Sequence, residues 1–157
     1  MKRSAGILLY KINASNETAF FLVHPGGPFF AKKDNGFWTI PKGEIEGNDD
    51  PLKTAVREFE EETGLRPTGK FIDLGEIRQK GGKIVEAWAV EGDLDISMIR
   101  SNTFEIEWPP KSGKRKSFPE IDKGGWFSLK EAREKINEAQ ADFLTRLTEM
   151  DDHSKTY

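Results

Sequence analysis

Cysteine is absent from all 157 residues of this chain, which removes disulfides, zinc–thiolate centres and thiol nucleophiles together. That fits a reducing compartment, and a cytoplasmic location is the expectation. No apolar run approaches the length of a membrane span. Met1-Lys2-Arg3-Ser4 leads only into a short apolar stretch, residues 6–10, without a small-residue cleavage site, so no signal peptide is expected. Charge of one sign is also lacking: 24 Lys and Arg stand against 27 Asp and Glu, a net charge of −3. General nucleic-acid and membrane-surface binders need a basic excess, so DNA and membranes are not expected partners and RNA is disfavoured. Repeats, low-complexity tracts and Pro/Ser-rich linkers are missing. Aromatic residues are plentiful, with eleven Phe and four Trp, enough for a packed interior under a charged surface of mean hydropathy −0.65. Length predicts a single domain over residues 1–150 with a frayed, flexible tail over 151–157. Oligomeric state is not legible.

Ala5–Tyr10 and Ala19–His24 read as two apolar strands joined by a polar turn, a hairpin. His24-Pro25-Gly26-Gly27-Pro28 breaks regular structure. Its glycine pair lacks the strand–loop–helix context of a phosphate-binding loop, and His24 reads as a strand-end histidine bonded to that loop. Asp50-Pro51 supplies an N-cap and first helical residue, and Gly64 a left-handed C-terminal stop, predicting a helix over 51–63. Lys70–Arg78 and Lys83–Glu91 predict a hairpin turning at Lys80-Gly81-Gly82. Residues 92–116 are turn-rich, with one strand expected at Phe104–Trp108 and a last strand at Trp126-Phe127. Ser128 with Glu131 forms a capping box, and Asn137 caps a final helix with Ala141, Leu144, Leu147 and Thr148 as its apolar stripe. The class is α+β or α/β with a mixed sheet.

The 51–63 helix concentrates four glutamates in five residues. At about 100° per residue, Glu58, Glu61 and Glu62 share one face, while Leu52, Val56, Phe59 and Thr63 lie on another. One side is expected to be buried and the other to present three carboxylates. A solvated acidic face is the plain explanation of such a run. A site for a hard divalent cation is the alternative, because Mg²⁺ takes a few carboxylates plus phosphate and water oxygens. Arg57, four residues before Glu61, reads either as a helix-face ion pair or as a clamp on the acidic array. Carboxylates without a Ser–His or Cys–His pair suit metal-assisted hydrolysis of a phosphoanhydride rather than covalent acyl chemistry.

Residues 43–65, GEIEGNDDPLKTAVREFEEETGL, carry the spacing Gly-x5-Asp-x7-Arg-Glu-Phe-x-Glu-Glu-x-Gly-Leu. This resembles the Nudix box, meeting eight of its nine fixed positions. The departure is Asp49 where the family has glutamate, which bears on how Arg57 is braced. Trp126-Phe127-Ser128-Leu129-x-Glu131-Ala132 is also Nudix-like. The resemblance implies an α/β/α sandwich with a mixed sheet and a Mg²⁺-dependent (or Mn²⁺-dependent) pyrophosphohydrolase acting on small nucleotide or polyphosphate substrates. It implies Glu58, Glu61 and Glu62 as metal ligands, joined by the Gly43 carbonyl, with Glu58, Glu61 and Arg57 in the catalytic set. A further acid from outside the box is expected as ligand or base. Glu120 is the candidate, a surface loop acid being its plain alternative and Asp122 and Glu105 its competitors.

Trp38-x-x-Pro41-Lys42-Gly43-x-x-Glu46 is similar to the lead-in of dinucleoside polyphosphate and diphosphoinositol polyphosphate hydrolases. Lys42 is thereby a candidate phosphate contact, or a solvated turn lysine. Trp38 is a candidate base-stacking surface, or core. Lys32, Lys33, Arg78, Lys80 and Lys83 could form a basic rim, with Lys80 the substrate-binding candidate, though each alone reads as surface charge. Lys111, Lys114, Arg115 and Lys116 form a basic loop for which solubility suffices. The first expected substrate class is a dinucleoside polyphosphate of the diadenosine tetraphosphate type. A housecleaning nucleoside triphosphate pyrophosphohydrolase comes next, then an RNA 5′-pyrophosphohydrolase. A non-catalytic nucleotide-binding regulator is the reading from a different class.

Overall fold

A computed structural model describes residues 2–150, so the expected tail over 151–157 lies outside the described residues. Strand β1 (Arg3–Ile12) and β2 (Thr18–Pro25) form the expected hairpin, paired antiparallel only over Tyr10–Ile12 and Thr18–Phe20. Beyond Tyr10 toward the chain start, the two strands separate, and the segment 38–44 lies between them. Thr39 exchanges both backbone hydrogen bonds with Val23, at 2.9 Å each, and Ile7 N–H donates to the Pro41 carbonyl at 3.1 Å. The segment ends in β3 (Lys42–Glu44), antiparallel to β1 with Gly43 opposite Ala5 and Lys42 opposite Gly6. Gly6 is required there, because a Cβ would stand 2.7 Å from the Pro41 carbonyl oxygen.

Helix α1 (Pro51–Thr63) follows, with the sequence-predicted limits. The Asp50 side chain accepts from Lys53 N–H at 2.9 Å, and Gly64 adopts φ 82°, a left-handed turn that glycine tolerates. Strands β4 (Ile72–Arg78) and β5 (Ile84–Glu91) are antiparallel around a single 3₁₀ turn at Lys80–Gly82. β5 then runs parallel to β1 along eight residue pairs. Strands β6 (Thr103–Glu107) and β7 (Arg115–Pro119) form a separate two-stranded ribbon, and β8 (Ile121–Phe127) returns to the main sheet beside β2. The main sheet is therefore mixed, in the order β4-β5-β1-β2-β8 with β3 against β1. Helix α2 (Leu129–Lys135) starts at the Ser128–Glu131 capping box, and Asn137 caps a 3₁₀ turn that feeds α3 (Ala141–Met150).

Strand alternation sends side chains to two cores. Ala5, Ile7, Leu9, Phe21 and Val23 meet Ala55 and Phe59 of α1 on one face. Leu8, Tyr10, Phe20, Leu22, Ile40 and Val85 meet Ala132, Ile136, Phe143, Leu144 and Leu147 of α2 and α3 on the other. This is the expected α/β/α sandwich. The apolar stripe of α3 is corrected: Phe143, buried, stands with Leu144 and Leu147, whereas Ala141 and Thr148 are only partly buried. β7 is a strand where the sequence predicts loop, and β8 begins five residues earlier than expected, at Ile121 rather than Trp126. Leu52 and Val56 are half-buried while Ala55 and Phe59 are fully covered, so the buried face of α1 is turned toward Ala55, Phe59 and Glu62.

Candidate active site

The acidic array lies where α1 passes beneath β3 and the β7–β8 turn. Glu62 is the central departure from expectation. Rather than standing on an open face, it is 8% exposed. Its Oε2 is buried with no hydrogen-bond partner, and the nearby Lys42 backbone N–H favours the charged form. Burial pushes its carboxyl up to about 8, with Lys42 pulling the other way and the charges of Glu58 and Glu120 adding to the rise. A buried carboxylate oxygen without a donor is costly.

Glu58 is partly buried, and its carboxyl is also held above the ordinary range, first by burial and then by Glu61, with which it shares hydrogen-bond reach. It packs on Gly43: a Cβ there would occupy the space of the Glu58 carboxyl carbon. Glycine at position 43 thus lets the helix carboxylate approach the β3 backbone. Arg57 stands among three acids, with Nη1 3.8 Å from Asp49, Nη2 3.7 Å from Glu58 and Nε 3.8 Å from Glu61. These are ion pairs at long range rather than direct hydrogen bonds. Asp49, despite its missing methylene, still reaches Arg57.

Glu120 is exposed at the sharp link between β7 and β8, yet its charge acts on both Glu58 and Glu62. The link is fastened from both sides. Glu120 N–H donates to Asn102 and its carbonyl accepts from Gly26 N–H, each at 2.8 Å. Gly26 must be glycine, since a Cβ would collide with the Pro119 carbonyl. The broken stretch after β2 is therefore the seat of the Glu120 turn. Asp122 has another partner, His24, whose Nδ1 lies 2.8 Å from its Oδ1 while Nε2 lies 2.6 Å from the Lys33 carbonyl oxygen. His24 is fully buried and bonded to the loop, as read from sequence. Glu105 sits on β6 and is not among the charges acting on Glu58 or Glu62.

Among the described residues, no three acids already converge tightly enough to enclose an ion. The donor set nevertheless fits a hard cation: all oxygen, with one buried oxygen lacking any donor. Of the substrate candidates, Lys42 is partly buried, and desolvation, reinforced by repulsion from Lys83, holds its amine below the ordinary lysine range against the pull of Glu62 and Glu58. Trp38 lies in the core rather than on a stacking surface. It is 6% exposed, donates through Nε1 to Asp34 at 2.8 Å, and packs edge-on against Phe127. Lys80 is exposed on the β4–β5 turn.

Two bracing sets escaped the sequence reading. The Asp34 carboxylate takes both Trp38 Nε1–H and Lys135 Nζ, the latter at 2.6 Å. Gln140, fully buried, accepts from Ile40 N–H at 3.0 Å and donates to Gln79 at 2.9 Å. Neither has a spacing signature, because its partners are far apart in sequence.

The NUDIX domain family matches residues 2–147. A Myxococcus xanthus octanoyltransferase is 32% identical over 101 residues, covering 64% of this chain and 25% of that protein. A probable DHNTP pyrophosphohydrolase of Lactococcus lactis is 34% identical over 79 residues, 49% of this chain and 40% of that protein. A rat asymmetrical bis(5′-nucleosyl)-tetraphosphatase is 32% identical over 68 residues, 39% of this chain and 46% of that protein. The matched regions thus span from a quarter to under half of these relatives. In fold, the chain is similar to a C. elegans Ap4A hydrolase binary complex, with a TM-score of 0.66 at 18% identity, covering 96% of this chain and 97% of that one. With the loop–helix–loop at residues 43–65 held under β3 as described, and the match running nearly end to end, the chain belongs to the NUDIX domain family.

Proposed function

We propose that this chain is a pyrophosphohydrolase that cleaves phosphoanhydride bonds with the help of Mg²⁺ or Mn²⁺, and that dinucleoside polyphosphates are its first substrate class. The observation that carries the reading is the buried, donor-free Oε2 of Glu62 beside Glu58, within reach of the charge of Glu120. Glu58, Glu61 and Glu62, with the Gly43 carbonyl and Glu120, are the groups that would hold the ion. Bound there, the ion supplies charge neutralisation for the diphosphate oxygens and a more acidic water.

The chain's own residues do the rest. Arg57 braces the carboxylates of Glu58 and Glu61 while Asp49 anchors its other side. Lys42 offers a partly desolvated ammonium to a phosphate oxygen as a point charge. Glu120, exposed and fixed through its backbone, would serve as the base that takes a proton from water in this reading. The dinucleoside polyphosphate class is supported by the lead-in through Pro41-Lys42-Gly43 and by the name of the rat relative. The name of the Lactococcus relative favours a second reading, a nucleoside triphosphate pyrophosphohydrolase. A purely regulatory nucleotide-binding domain is disfavoured, since all three box glutamates are kept.

The test is phosphate or nucleotide release from diadenosine tetraphosphate and the common nucleoside triphosphates, with Mg²⁺, with Mn²⁺ and with excess chelator. Metal-dependent cleavage that is fastest for the dinucleotide is expected. Undiminished cleavage in chelator would end the metal reading, and no cleavage of any substrate would leave the regulatory one.

A further inference from the structure

Among the described residues, three buried side-chain oxygens have no hydrogen-bond partner: Thr18 Oγ1, Thr54 Oγ1 and Glu62 Oε2. Two of them belong to α1. Thr54 is 1% exposed, and Thr54, Glu58 and Glu62 recur at every fourth position of the helix. That spacing is about 6 Å along the axis and keeps the three side chains in one row. Thr54 is therefore the first member of the row that continues into the acids. β3 packs against the same row, with Gly43 against Glu58 and the Lys42 backbone N–H beside Glu62.

A threonine inside a helix has a local acceptor available, the carbonyl four residues before it. Thr63, at the far end of α1, uses it: its hydroxyl donates to the Phe59 carbonyl at 2.7 Å. The equivalent carbonyl for Thr54 belongs to Asp50. It accepts the Thr54 backbone N–H at 2.9 Å, and the hydroxyl makes no bond to it. A buried hydroxyl left in that condition is costly, and valine would fill the same shape without the cost. The acceptor next along its row is Glu58. Helical side chains lean toward the N-terminus, which carries the Glu58 carboxyl over the turn of Thr54. Arg57 Nη2 stands 3.7 Å from Glu58 Oε1, beyond hydrogen-bond distance.

We propose that Thr54 is a positioning residue for Glu58, its hydroxyl donating to the carboxylate when Glu58 holds the divalent cation. This rests on the metal-assisted reading of the site. A ligating carboxylate gives one oxygen to the cation, and a donor on the other fixes its rotation. Arg57 is shared with Asp49 and Glu61, while Glu61 and Glu120 are themselves acids. Thr54 supplies the donor that none of these commits to Glu58 alone. Being uncharged, it orients the carboxylate without neutralising it. An unbonded hydroxyl adds nothing to folding, so its contribution falls on cation affinity.

Two substitutions separate this role from packing. Thr54→Val keeps the shape and removes the donor, whereas Thr54→Ser keeps the donor and removes a methyl group. In chelator, Thr54→Val should melt at or above the wild type and Thr54→Ser below it. Calorimetric titration with Mn²⁺ should reverse that order. Thr54→Val should bind roughly ten-fold more weakly, with Thr54→Ser within about two-fold of the wild type. Turnover at limiting Mn²⁺ should follow the affinities. Equal Mn²⁺ affinity in Thr54→Val and the wild type would overturn the positioning role and leave the metal reading intact. A lowered melting temperature of Thr54→Val in chelator would also overturn it, by showing the hydroxyl already bonded without the cation. A wild type that binds no Mn²⁺ would instead sink the metal reading, and the role of Thr54 with it.

Discussion

Glu62 gives the most direct residue-scale consequence. Burial pushes its carboxyl up to about 8 in the folded protein, against about 4.3 in an unfolded chain. Between those values the folded state keeps a proton that the unfolded state has lost, so stability falls as pH rises through the window. Glu58, shifted in the same direction, adds to the slope. Melting in chelator should therefore drop by up to about 10 °C between pH 5.5 and 8, from about 3 kcal/mol of linkage at about 2–4 °C per kcal/mol for a chain of this size. Glu62→Gln should flatten much of that fall, and an identical pH slope in the variant would show that Glu62 is not held protonated. The two acids near the β7–β8 link should separate as well. Glu120→Gln is expected to lower turnover and alter the pH–rate profile with little change in melting, whereas Asp122→Asn removes the charge facing buried His24 and is expected to act mainly on stability. The reverse pattern would exchange their roles.

Among elements, α1 was legible nearly to the residue because its ends are local chemistry: Asp50 and Pro51 open it, and Gly64 closes it. What sat on its faces was less so. Helical geometry groups Glu58, Glu61 and Glu62, but it does not reveal that β3 covers one edge of that group. Glu62 was therefore expected in solvent and lies under the Lys42 backbone. β7 was missed because its side chains are mostly exposed, so Lys116-Ser117-Phe118 carries little alternation beyond Phe118. The early part of β8, Asp122-Lys123-Gly124-Gly125, lacks apolar signal for the same reason and is held by pairing with β2. Phe59 fixes α1 to the sheet, 1% exposed and tilted against Phe21 at 6.0 Å between ring centroids. Phe59→Ala should destabilise by ~3–5 kcal/mol, with kcat per folded molecule largely kept. An unchanged melting temperature would contradict the packing of α1 on β1 and β2.

For the molecule as a whole, the order of layers was readable while their joints were not. Alternating strands and two capped helical regions predicted the sandwich. The contacts tying its parts together, Gln140 to Ile40, Asp34 to Lys135 and Gly26 to Glu120, bring together residues up to about a hundred positions apart and leave no periodic trace. The segment 38–44 shows the consequence. Threaded between β1 and β2, it behaves as an interior strand, and its odd and even residues serve opposite layers of the sandwich. A one-residue insertion after Thr39 would invert that assignment, moving the side chain of Lys42 to the α1 layer and the small glycine to the opposite one. An equal insertion in the exposed stretch 29–33 changes no assignment. The first variant should lose turnover far out of proportion to its loss of melting temperature, and the second should keep both. Loop length in this protein is thus constrained by parity, with one extra residue more damaging than two.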